Sequence, residues 1–299
     1  MKKFDKQQTN TIMNLNTFMM LSLFENILQP SIATAVDHHR NRQRREEHRT
    51  LVWSDEFDSD RLDDQNWIYE QHCGRFNQEL ECYTKHREKN VRIENGHLMI
   101  EVCVEPYNGY NFTSGRLLTR KSWKYGRFEI RARMPHGYQL WPAIWMLAKH
   151  ETYGGWPTNG EIDIAEIIGN TADLMSSSIH YGPTVKTMIS MTSGVWNFSI
   201  DLSKDFHLYS LDWNEKHLQW SLDNRPYYSV NLDRIMCCDD KSIKSPYTKK
   251  GQPFDQPFYL ILNVAVGGTF FGQPPYVTPE QAKKWPKNTM EIDYIRIFQ

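Results

Sequence analysis

From Leu51 onward the chain alternates apolar and polar residues with a period close to two. Leu98, Ile100, Val102 and Val104 interleave with Met99, Glu101, Cys103 and Glu105, and Phe128, Ile130 and Ala132 with Arg127, Glu129, Arg131 and Arg133. Successive side chains on a strand point to opposite faces, so such runs read as strands buried on one side. Further strands are expected at His207 to Trp213, Leu218 to Leu222, Phe258 to Val266 and Met290 to Phe298, whereas Pro279 to Trp285 is the clearest helical turn. Many short strands with almost no helix predict an all-β protein, either a sandwich or a barrel. No repeat and no second-domain linker stands out.

Residues 1–49 break this pattern. Phe18-Met19-Met20-Leu21-Ser22-Leu23-Phe24 is too short, and too soon interrupted by Glu25 and Pro30, to span a bilayer, but it suits a signal-peptide core ending near Ala33, Thr34 and Ala35. Lys2 and Lys3 lie far upstream for such a signal, and a start at Met13 would make it more ordinary. The run His38 to Arg45 is either a solvated basic linker or, at Arg42-Gln43-Arg44-Arg45, a processing site. The expectation is a secreted protein with a leader over 1–49 and a folded body over 50–299, long enough for one core.

Charge and cysteines narrow the classes. A formal net charge of −1 over 299 residues gives no reason to expect nucleic acid as a partner, and a monomer is expected. Aromatic residues make up 13% of the chain, which serves core packing or sugar-stacking platforms. Five cysteines are too few for a disulfide scaffold and lack zinc spacing. Cys73 and Cys82 could bridge across a short loop in an oxidising compartment, whereas adjacent Cys237 and Cys238 would be strained if paired together.

The chemistry concentrates in Gly160-Glu161-Ile162-Asp163-Ile164-Ala165-Glu166-Ile167-Ile168-Gly169. On a regular strand Glu161 and Asp163 share a face and Glu166 has the wrong parity. One extra residue, taken up as a β-bulge between Asp163 and Glu166, would turn all three acids to one side and bury Ile162 and Ile164 behind them. Like charges in a row weaken a strand, so the bland alternative is an edge strand dressed with charge for solubility. The functional reading is glycoside hydrolysis with retention, in which nucleophile and general acid stand about 5 to 5.5 Å apart, with no cofactor required. Repulsion within the cluster would hold a proton there and supply the acid.

With these acids and their flanks, the chain resembles glycoside hydrolase family 16, in its laminarinase-like branch of endo-1,3-β-glucanases and β-glucan-binding relatives. The likeness runs from Leu51 to Phe298 through Leu51-Val52-Trp53-Ser54-Asp55-Glu56-Phe57, Asn77-Gln78-Glu79-Leu80, Thr113-Ser114-Gly115-Arg116, Leu140-Trp141-Pro142-Ala143-Ile144-Trp145-Met146, Gly155-Trp156-Pro157, the acids, Ile179-His180-Tyr181-Gly182, Asp205-Phe206-His207, Ile261-Leu262-Asn263-Val264-Ala265-Val266-Gly267-Gly268 and Ile292-Asp293-Tyr294. The resemblance implies a concanavalin A-like jelly-roll β-sandwich of two curved antiparallel sheets, with a glucan groove on the concave face. Carried over, it makes Glu161 the nucleophile, Asp163 its assistant and Glu166 the acid/base, and the bulged spacing favours 1,3-β-glucan. Ala165 departs from the Met usual at the bulge, which implies a roomier groove floor.

Trp141 and Trp145, four residues apart and so on one strand face, are candidate sugar platforms, with Trp156 a third. Asn77 and Arg116 could donate to sugar hydroxyls from loops at the groove. The resemblance places His180 near the nucleophile. It also implies a structural calcium held at Glu56, Gly96 and Asp293. Asn111-Phe112-Thr113 and Asn197-Phe198-Ser199 fit the N-glycosylation sequon. Two other readings keep the same fold: a non-catalytic, lectin-like glucan-recognition protein, and a transglycosylase.

Overall fold

A computed structural model of the protein describes residues 49–237, 242–272 and 276–299. The expectations for the leader, and for Cys238 as a partner, lie outside these residues. Two large antiparallel sheets enclose the core. In the outer sheet the strand order is β18 (Arg225–Asn231), β17 (His217–Leu222), β16 (His207–Trp213), β10 (Gly126–Arg133), β20 (Thr289–Phe298), β6 (His97–Glu101) and β5 (Val91–Glu94), with β1 (Leu51–Asp55) also paired to β20. The second sheet runs β14 (Ile189–Thr192), β13 (Leu174–Tyr181), β12 (Glu161–Ile167), β11 (Leu140–Ala148), β19 (Phe258–Val266), β9 (Arg116–Thr119) and β2 (Trp67–Tyr69), with β15 (Trp196–Asn197) on the β13 edge. A small third sheet joins β3 (His72–Cys73), β4 (Glu81–Tyr83), β8 (Tyr110–Ser114) and β7 (Cys103–Tyr107), and a Cys73–Cys82 disulfide ties β3 to β4. The jelly-roll sandwich expected from the sequence is the fold that forms.

Alternation explains which faces close on the core. Phe128, Ile130 and Ala132 of β10 are fully buried between partly exposed neighbours, as are Leu98 and Ile100 of β6. The run from Leu98 to Glu105, which reads as one strand, is two. Fully buried Val102 lies between them, its N–H donating to the Asn288 carbonyl at 3.0 Å, and the chain passes there from the outer sheet into the small one. On β20 the buried parity changes from Met290 and Ile292 to Ile295 and Ile297, because the register against β10 shifts and Asp293 is the extra residue. The helical turn is shorter than expected, Pro279–Ala282, and is closed by a capping box between Thr278 and Gln281. Among the described residues no helix is long and apolar enough to cross a membrane.

The strand that matters for function carries the predicted irregularity. Asp163 pairs with Ser178 and Glu166 with Ser176, so three steps along β12 match two along β13, and the ladder to β11 shifts at the same place. A bulge twists backbone groups out of the ladder, and buried carbonyls then need other donors. They have them: the Trp220 indole, reaching across from β17, donates to the Asp163 carbonyl at 2.9 Å, and the Ser177 hydroxyl donates to the Ile164 carbonyl at 2.7 Å. Ile162 and Ile164 are buried behind the acids, as expected. Ala165 is also wholly buried in the core, so it forms no part of a groove floor and the roomier floor expected from its small size does not follow.

Trp220→Phe removes the donor to the Asp163 carbonyl while leaving an aromatic ring in place. It is expected to lower unfolding stability by about 1–3 kcal/mol, the usual penalty for stranding a buried acceptor, measurable by urea denaturation.

Candidate active site

Register places the acids before any side chain is considered. Ser176, Glu166, Ala143, Asn263 and Arg116 are successive cross-strand partners over β13, β12, β11, β19 and β9, so they form one row on one face. The next rows bring Asp163 between Ser178 and Trp145, and Glu161 between His180 and Leu147. The bulge thus sets Glu161, Asp163 and Glu166 on a common face. Glu161 and Glu166 keep some contact with solvent, whereas Asp163 is 2% exposed.

Each acid has its own donor. The Trp156 indole donates to Glu161 Oε2 at 2.6 Å and the Trp141 indole to Glu166 Oε1 at 3.2 Å. Asp163 accepts from the Ser178 hydroxyl, and His180 Nε2 lies 3.2 Å from its Oδ2. His180 is pinned on its other side by the Ser190 hydroxyl, 2.7 Å from Nδ1. Ligand atoms of Glu161, Asp163 and His180 all lie within 4.8 Å of one another.

Electrostatics follow from this crowding. Burial first, then the Asp163 charge, push the Glu161 carboxyl up to about 8, against the pull of His180, the Trp156 hydrogen bond and Arg116. Glu166 is pushed up to about 8 by burial, Asp163 and Glu161, against His180 and the Trp141 hydrogen bond. Both carboxyls retain solvent contact, which screens these pushes, and they titrate as a pair, so the upward direction belongs to the cluster. For His180 burial acts downward, but the hydrogen bond and charge of Asp163 and the charges of Glu161 and Glu166 outweigh it and raise the imidazolium to about 9. At neutral pH the arrangement therefore stores a carboxyl proton on the glutamate pair close to a cationic histidine.

The remaining predicted residues divide. Trp145 faces the groove with its indole donating to Asn263 Oδ1 at 2.7 Å, and Trp156 is 49% exposed beside Glu161. Trp141 meets the acids through its N–H, while its ring stacks on Phe270 at 4.4 Å and 7°. Arg116 is on strand β9 and not on a loop; it is nearly buried, with Nε 2.7 Å from Glu70 Oε2 and the guanidinium 4.7 Å over the Trp145 ring. Asn77 is an exposed loop residue whose amide donates to Glu79 Oε1 at 3.3 Å. Sequence reasoning missed Ser178, Asn263 as a groove residue, Phe270 and Trp220. The Ser176-Ser177-Ser178 run in an otherwise apolar strand was the one available signal.

Glu56, Gly96 and Asp293 lie around the outer sheet. Arg296 grips Glu56 with Nε at 3.0 Å and Nη2 at 2.8 Å, and Asp293 is ion-paired to Arg131 with His97 at 3.5 Å. The resemblance implies carbonyl oxygens at Glu56 and Gly96 with a single carboxylate at Asp293, donors of the kind calcium takes. The Arg296 grip engages only the Glu56 side chain, whereas the Asp293 carboxylate is itself ion-paired to Arg131.

A sheet face with paired carboxyls, indole donors and aromatic walls defines a carbohydrate-cleaving class of site. The chain belongs to the family described as Glycosyl hydrolases family 16, whose sequence profile matches residues 65–295. It is 41% identical over 252 residues to a glucan endo-1,3-beta-glucosidase of Cryptopygus antarcticus, spanning 82% of this chain and 90% of that protein. A beta-glucanase of Rhodothermus marinus is 41% identical over 259 residues, covering 84% and 86% of the two chains. The crystal structure of the laminarinase from Rhodothermus marinus superposes with a TM-score of 0.72 at 40% identity, over 85% of this chain and 99% of that one.

Because the folded Glu161 carboxyl holds its proton more tightly than an unfolded one, its ionisation costs stability as pH rises from the ordinary carboxylate range toward 8. Glu161→Gln should leave the melting temperature unchanged near pH 4 and raise it increasingly toward pH 8, as read by calorimetry. In Trp156→Phe, loss of the indole donor should move the Glu161 midpoint higher in a carbon-13 NMR titration.

Proposed function

We propose that the protein is a retaining, endo-acting glycosidase that hydrolyses 1,3-β-glucan. The observation that carries this reading is the bulged register of β12, which turns Glu161, Asp163 and Glu166 to one face in front of Trp145 and beside His180. The names of the relatives supply the substrate class.

In this reading Glu161, held by the Trp156 indole, attacks the anomeric carbon while Glu166 gives its proton to the departing glycosidic oxygen. A glycosyl ester on Glu161 results. Glu166, now a carboxylate, takes a proton from water, which attacks the ester and frees Glu161 with the anomeric configuration retained. Asp163 and the His180 imidazolium form a charged pair behind Glu161 that fixes its orientation and balances the charge as the proton leaves Glu166. Trp145, Trp156 and Asn77 offer aromatic and amide surface to sugar rings and hydroxyls. No cofactor enters these steps. Export from the cell fits a polysaccharide too large to enter, together with the Cys73–Cys82 disulfide.

On laminarin, Glu161→Gln should abolish turnover and Glu166→Gln should lower kcat by about 10²- to 10⁴-fold, both with unchanged circular dichroism. The nascent reducing end should be the β anomer by proton NMR. Activity should follow a bell in pH, because the coupled Glu161–Glu166 pair works with one proton: it falls at low pH, where both carboxyls are protonated, and at high pH, where neither is. Trp141→Phe, which removes a hydrogen bond favouring the Glu166 carboxylate, should shift the alkaline limb upward. Binding of laminarin with no release of oligosaccharide between pH 4 and 8 would overturn the reading in favour of a lectin, and lengthened products would point to transglycosylation.

A further inference from the structure

A second acidic pair lies beyond the groove wall. Glu81 on β4 is fully buried and Glu79 is 6% exposed. Glu81 Oε2 accepts the Val266 backbone N–H at 2.7 Å, but its Oε1, equally buried, has no donor. Beside it stands Glu79, within hydrogen-bonding contact of the Glu81 side chain, and the Tyr83 hydroxyl reaches both carboxyls. Two buried carboxylates facing each other would repel and leave Oε1 unsatisfied, and the Arg116 guanidinium lies over the Tyr83 ring. A proton on Glu81 Oε1 removes both penalties, because the carboxylic acid donates to Glu79. Burial, the Glu79 charge and the bond to Glu79 all push the Glu81 carboxyl well above the usual range.

What Glu79 touches gives the pair a purpose. Its Oε1 accepts from the Asn77 amide at 3.3 Å, and its Oε2 from the Tyr83 hydroxyl at 3.3 Å. Tyr83 in turn accepts from Asn263 Nδ2 at 3.1 Å, and Asn263 Oδ1 accepts from the Trp145 indole at 2.7 Å. A continuous chain thus runs from Glu81 through Glu79 and Tyr83 to the indole that faces Asp163, with a branch to the exposed Asn77.

We propose that Glu81 is a positioning residue: as a neutral acid it shares one proton with Glu79, and through Glu79 it orients Asn77 and Trp145 on the wall of the groove. It never meets the reacting atoms. Only its kinetic consequence rests on the glucan reading.

The test compares Glu81→Gln, whose amide can still donate to Glu79 without a titratable proton, with Glu81→Met, which has similar bulk and no donor. The infrared difference between wild type and Glu81→Gln at neutral pH should contain the carbonyl stretch of a protonated carboxyl. Trp145→Phe identifies the Trp145 indole N–H resonance, which should shift in Glu81→Met and hold its place in Glu81→Gln. On laminarin, Glu81→Met should raise KM about 5- to 30-fold with kcat little changed, while Glu81→Gln stays near wild type. The proposal falls if the infrared band is absent, if both variants move the indole resonance alike, or if Glu81→Met leaves KM and the resonance untouched. Should wild type not cleave laminarin at all, the glucan reading fails, while the infrared and NMR results still decide the proton and the positioning. If Glu81→Met does not fold, the band and a wild-type-like indole resonance in Glu81→Gln support the shared proton, and loss of either overturns it.

Discussion

One extra residue in β12 is the constraint on which the groove depends. Were this sequence held in a regular strand, Glu166 would turn inward beside Ile162 and Ile164, and the acids would not meet. With it, the strand needs hydrogen bonds that a regular ladder would have supplied, and the core provides them from Trp220 and Ser177. Active-site geometry and inter-sheet packing are therefore the same structural problem. The indole that supports the Asp163 backbone belongs to the opposite sheet, so the acids are aligned only when the sandwich is closed.

The cluster also shows how repulsion is made tolerable. Burial alone would favour neutral carboxyls throughout. Instead Asp163, the most enclosed of the three, sits against His180 and Ser178, and the two outer glutamates each receive an indole N–H. Hydrogen bonds to the charged form and burial act in opposite directions, and the balance leaves both outer carboxyls ready to change protonation near neutral pH.

Much of this was legible in the sequence because a parity argument requires no tertiary information. The acids at 161, 163 and 166 cannot share a face on a regular strand, so a bulge between 163 and 166 follows once they are required to share one. The alternation at Phe128 to Ala132 likewise marks a core face. What local pattern cannot carry is a change of sheet, so Leu98 to Glu105 reads as one strand, or a long-range partner, so Arg116 reads as a loop donor although Glu70 and the Trp145 ring already engage it. Ala165 illustrates the same limit: a residue count gives the bulge but not which of its residues turns inward. The calcium expectation rested on matching positions, carbonyl oxygens at Glu56 and Gly96 and the Asp293 carboxylate, and local pattern could not foresee that Arg131 pairs with Asp293.

The parallel contact between Trp141 and Phe270 changes what that tryptophan can offer. One broad side of the indole is already taken by a phenyl ring, and its nitrogen is engaged with Glu166. A saccharide passing this point would not find a free shelf on that side; it would meet a stiff rim. Contact there would depend on the rim's shape and on the indole's other face more than on stacking against the side Phe270 covers.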